Sequence, residues 1–141
     1  MNNVLIKASF KVLGPILAVI SFYLLLRGHN LPGGGFIGGL CLSLALILRI
    51  LMEKDGLLEQ CLKDNFIMTM GIFILCFIFI LLFPLFYGGT LLTGLWSSIP
   101  LPLAGKFSSI LIFDLVIYFV VALCTTKAYV EFTNFTGEGR L

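Results

Sequence analysis

Apolar residues run along this chain in four long blocks, and the polar residues collect between them. The blocks cover roughly 8–26, 36–52, 66–83 and 109–126. Crossing about 30 Å of hydrocarbon takes roughly 20 helical residues, so each block is suited to one membrane-spanning helix. The pattern predicts an all-α integral membrane protein, a single membrane domain over residues 1–141 with four transmembrane helices. Pro84 ends the third block, because proline lacks the backbone donor that a continuing helix needs. Lys7 and Lys11 precede the first block as they would in a cleaved leader. No A-x-A-type site follows, however, and the next block begins within ten residues, so the first block reads as a retained span.

Composition strengthens this reading. The chain is 60% hydrophobic and only 11% charged, with a mean hydropathy of +1.12. A soluble domain of this size would lack the polar surface to cover itself. The net charge of +2 includes no basic patch suited to nucleic acid. Orientation follows from the basic residues. With four spans, both termini and the middle loop share one side, which holds Lys7, Lys11, Arg49, Lys54, Lys63, Lys127 and Arg140. The other side holds Arg27 and Lys106. The termini and middle loop are therefore expected in the cytoplasm. Cys41, Cys76 and Cys124 fall in spans and Cys61 in the middle loop. No pair has metal-ligand spacing, and the four read as small apolar filler.

Two outer segments break the apolar regularity. One is the long apolar connection between helices 3 and 4, "PLFYGGTLLTGLWSSIPLPLAGKFS". Its length points to function or packing. Its Phe86, Tyr87 and Trp96 suit a membrane interface. A partly buried excursion is expected there, with a short interfacial helix around Leu91 to Trp96, and a simple interfacial anchor is the alternative.

The other is "RGHNLPGGGFIGGL", where glycines crowd the start of the second span. His29 and Asn30 can cap a helix, and Pro32 suits a first turn. Gly34 with Gly38 and Gly35 with Gly39 repeat at four-residue spacing, which lets another helix approach closely. A bend exposing backbone amides to an anion or a water chain is the alternative.

"GHNLPGGGFIGGL" resembles the B-type subunit, MrpB or MnhB, of Mrp-type multisubunit Na⁺/H⁺ antiporters. "FPLFYGGTLLTGLW" is similar to that family's glycine- and aromatic-rich outer segment. "LIFDLVIYFVV" is similar to its last span, with a single acidic residue. The resemblance implies a subunit of a bacterial inner-membrane assembly that exchanges cytoplasmic Na⁺ or another cation for external H⁺. Its partners would be the other antiporter subunits and the lipid bilayer. Related small subunits in membrane-bound hydrogenases or respiratory modules supply the alternative complex. The resemblance also marks Pro32 and Phe36 as positions that matter. Pro32 would set a bend, and Phe36 would be the first large side chain beside the flat glycine patch, or else an ordinary lipid-facing aromatic.

The candidate chemistry is sparse. Asp114 is the only acidic residue well inside a span. An intramembrane acid is costly and calls for a partner or water; Tyr118, one turn on, could donate to it. Asp114 either lines part of an ion path or hydrogen-bonds a neighbouring helix. His29 could take up protons at an outer entrance, or could act only as a cap. No nucleophile–base pair, phosphate loop or metal cluster is visible, so neither an enzymatic role nor a cofactor is expected.

Overall fold

The computed structural model describes residues 2–28, 32–52, 56–91, 93–94, 96–101 and 105–136. Four helices carry the architecture: α1 (Asn2–Arg27), α2 (Gly35–Met52), α3 (Leu57–Leu82) and α4 (Ser109–Thr136). All four are long and apolar enough to cross a membrane. α3 and α4, of 26 and 28 residues, exceed the roughly 20 needed. Their surplus turns carry the charges, with Lys63 paired to Glu59 at 2.8 Å and Lys127 to Glu131 at 2.7 Å, both one turn apart. The stretch 57–64, read from sequence as loop, is therefore the first part of α3. Its charges satisfy one another along a helix face, so it needs no irregular backbone. Glu53, Lys54 and Asp55 lie outside the described residues.

α2 packs between α1 and α4, while α3 leans on α4 at the edge of the bundle. Aromatic pairs join the last two helices. Phe73 stacks on Phe119 with centroids 5.8 Å apart, and Phe77 meets Phe113 at 5.2 Å. At one end of the bundle Ile50, Leu62 and Val130 form a buried cluster drawn from α2, α3 and α4. The rest of α3 is apolar all round, and none of its most apolar stretch is buried; Ile67 is 85% exposed. In a bilayer such a surface meets lipid or another protein helix.

The connection between α3 and α4 departs from expectation. Its short helix lies at Phe83–Tyr87, a 3-10 turn, and not at Leu91 to Trp96. Pro84 sits in the first turn, where its missing donor costs nothing, and Gly88 stops the turn at φ 71°. Trp96 instead begins a strand, β1 (Trp96–Leu101), which pairs antiparallel with β2 (Gly105–Ser108). The four-helix class holds, with this hairpin added between α3 and α4. Ser108 then caps α4, its buried hydroxyl accepting the Leu111 amide at 3.4 Å.

Candidate functional site

The glycine segment turns the chain from α1 into α2. Leu24, in the last turn of α1, accepts two backbone hydrogen bonds at 3.0 Å, from Gly28 and from Gly34. The Gly34 bond folds the segment back onto the helix it has just left. Gly34 takes φ 96°, a conformation a side chain would strain, and its carbonyl accepts the Gly38 amide at 2.9 Å. α2 therefore starts at Gly35. Pro32 lies in an exposed bend before it, not in its first turn, because Gly33 and Gly34 intervene. His29 and Asn30 lie outside the described residues.

All four packing glycines face other parts of the same chain. A β-carbon on Gly34 would stand 3.2 Å from Asp114 Oδ2. One on Gly35 would collide with the Asp114 carbonyl and stand 3.1 Å from its Oδ1. One on Gly38 would meet the Ser21 carbonyl at 3.0 Å and the Tyr118 ring at 3.1 Å. On Gly39 it would lie 2.6 Å from the Tyr118 carbonyl and 3.0 Å from Val121 Cβ. The patch thus seats α4, with α1 touching it at Gly38. Phe36 projects the other way and is 59% exposed.

At the centre of this junction is Ser21, fully buried at 0% exposure, beside Tyr118 at 5%. Ser21 Oγ donates to the Gly38 carbonyl at 2.8 Å and lies 2.7 Å from the Tyr118 hydroxyl. A serine has one hydroxyl proton and the carbonyl can only accept, so Tyr118 donates to Ser21. One hydroxyl pair therefore ties α1, α2 and α4 together. This corrects the expected Tyr118–Asp114 bond: Tyr118 shares a face with Asp114, but its hydroxyl reaches across to α1. Ser21 escaped notice in the sequence, although a lone serine within "LAVISFYLL" was a signal of a buried polar contact.

Asp114 stands one turn above that pair, partly buried against Gly34 and Gly35. The first amides of a helix have no partner within it and carry roughly half a positive charge. Gly34 offers no side chain to cap them. A carboxylate from α4 lies at that end instead, which is where a negative charge is favoured. Among the described residues no side chain hydrogen-bonds or ion-pairs with Asp114. The other polar groups along the seam are committed: Ser43 to the Leu40 carbonyl at 2.7 Å and Thr126 to the Ala122 carbonyl at 2.7 Å. At the same end, the buried Arg27 Nε has no partner, and the guanidinium lies 5.9 Å from the Tyr23 ring centroid. Asp114 is thus the acidic group of this junction, with no side-chain hydrogen bond or ion pair among the described residues. No group of three potential metal ligands occurs among the described residues.

The chain matches the family described as a domain related to the MnhB subunit of Na⁺/H⁺ antiporter, over residues 5–127. It is 34% identical over 122 residues to the B-type subunit of a Na⁺/H⁺ antiporter from Bacillus subtilis (strain 168), covering 85% of each chain. It is 35% identical over 122 residues to a protein of Staphylococcus aureus (strain Newman) named as antiporter subunit mnhB2, covering 85% of this chain and 86% of the relative.

Proposed function

The chain belongs to the family of the MnhB subunit of Na⁺/H⁺ antiporters, and from that premise we propose that it works as a membrane subunit of a multisubunit cation/proton antiporter. The match over most of the chain carries this reading, and four membrane-length helices agree with it. The similar proteins are named as antiporter subunits, which favours this complex over a hydrogenase or respiratory module. The chain is a transport component in a multi-pass membrane setting, here assigned to the bacterial inner membrane. Its partners are the other subunits of the antiporter.

Two roles follow for the residues. Ser21, Gly38 and Tyr118 hold α1, α2 and α4 as a fixed wall, supported by the bonds that join them. Asp114, at the outer end of that wall, tunes the passage of Na⁺ or H⁺ there. One acid does not make a transmembrane relay, which needs several polar stations. The remaining stations belong to partner subunits. The purified chain alone, reconstituted in liposomes under a pH gradient, is therefore expected to show no Na⁺-dependent proton flux, whereas the intact complex shows it. Strong flux from the chain alone would refute the subunit reading.

Both termini and the α3 start are assigned to the cytoplasm on the bias of basic residues. Cys61 is exposed in the first turns of α3. A membrane-impermeant thiol reagent should modify it in inside-out vesicles and not in intact cells. The reverse pattern would invert the topology.

A further inference from the structure

At the end of the bundle opposite Asp114, a groove of about 340 Å³ runs between α1 and α2. Its walls are apolar or small, among them Gly14, Ala18, Leu42 and Leu46, and among the described residues its charged lining is Lys11 and Arg49. Both cations are exposed, and neither has a carboxylate partner among the described residues. This sets them apart from Lys63 and Lys127 at the same end, each of which is paired with a glutamate. Lys11 follows Phe10 at the start of the α1 wall and Arg49 lies one turn before Met52 at the end of the α2 wall, so both charges stand near the same end of the groove. From Lys11 to Ala18, or from Arg49 back to Leu42, is seven residues, about 10 Å of helix. That is roughly two-thirds of one leaflet of a 30 Å hydrocarbon core. Nothing lies within 4 Å of where a Gly14 side chain would begin, so the groove is open along its α1 side.

We propose that this groove binds one anionic phospholipid, its phosphate between Lys11 and Arg49 and one acyl chain along Gly14, Ala18, Leu42 and Leu46. Charge complementarity selects the headgroup. The two cations stand together near one end of the groove, and basic pockets between helices at the headgroup level recruit anionic lipids. Pro15, inside α1, adds a further acceptor. It has no amide to offer the Lys11 carbonyl, which is then available to a headgroup hydroxyl.

The proposal concerns lipid and stands apart from the antiport reading, so its test reads lipid retention and not transport. The antiporter complex containing this chain would be purified in mild detergent, exposed to phosphatidylglycerol or phosphatidylethanolamine, and weighed by native mass spectrometry. The wild type should retain phosphatidylglycerol preferentially. Lys11→Gln with Arg49→Gln should lower that preference on the order of 30-fold, since each surface cation contributes roughly fivefold. Gly14→Leu, which fills the groove and leaves the charges, should also release the lipid. Lys63→Gln, a cation outside the groove, should change nothing. Unchanged retention in the first two variants would overturn the proposal, as would an equal loss in Lys63→Gln. A photoreactive residue at Ala18 should cross-link to lipid; a cross-link to another protein of the complex instead would show that protein fills the groove, and would also overturn it.

Discussion

Gly35→Leu is expected to part α2 from α4 and to remove the protein from its complex. The obstacle is backbone: the new β-carbon would collide with the Asp114 carbonyl, which cannot rotate away as a side-chain tip can. Overpacking a tight contact costs typically 1–3 kcal/mol. With a carbonyl as the obstacle, about 3 kcal/mol is the appropriate estimate. The helices themselves should still insert, because leucine raises the hydropathy of the span. The defect should therefore appear as an inserted chain that fails to co-purify with its partners. Gly71→Leu is the matched control. It makes the same exchange in α3, where nothing lies within 4 Å of the new β-carbon, and the complex should form normally. A Gly35→Leu complex with full subunit content would show that α2 and α4 need not touch at this point.

Asp114→Asn is expected to lower antiport, or shift its pH dependence, in a complex that remains assembled. Asparagine keeps the shape of aspartate beside Gly34 and Gly35 but cannot carry its charge. It also gives up the attraction between the carboxylate and the α2 N-terminus, which is worth up to about 2 kcal/mol in a partly buried setting. A modest loss of stability should therefore accompany the loss of transport. Asp114→Glu restores a titratable group and should retain more activity than Asn. The assay is Na⁺-driven proton movement in membrane vesicles across a range of pH, with subunit content measured on the same vesicles. Wild-type antiport from Asp114→Asn at every pH would leave Asp114 with the structural role alone.

The glycine segment shows where reading the chain was sufficient and where it stopped. Four glycines at four-residue spacing announce a close approach by a helix, since lipid gains nothing from a flat patch. Spacing alone does not say which helix arrives. Here it is α4 of the same chain, with α1 at Gly38. The helix that packs on the glycines also brings Asp114 close to Gly34 and Gly35 at the start of α2. Ser21 and Tyr118 are a different case. They stand 97 residues apart, and no periodicity links them. Tyr118 has a plausible local partner in Asp114, and a reading confined to one helix chooses it.

The sequence by itself determined the number of helices, their membrane setting and the family. It determined that Asp114 is an isolated acid and that the basic residues favour one side. The helix count and the membrane setting rest on residues within a window of about 20, where transfer free energies add locally whatever the rest of the chain does. Only the tertiary structure decided that α2 is the central helix between α1 and α4. It also decided that Ser21 takes the Tyr118 hydroxyl, that the connection between α3 and α4 ends in a hairpin, and that Lys11 and Arg49 share a groove. Those outcomes depend on close packing between segments far apart in the chain. A difference of one β-carbon decides whether two backbones can meet, and that difference shows only when both helices are in place.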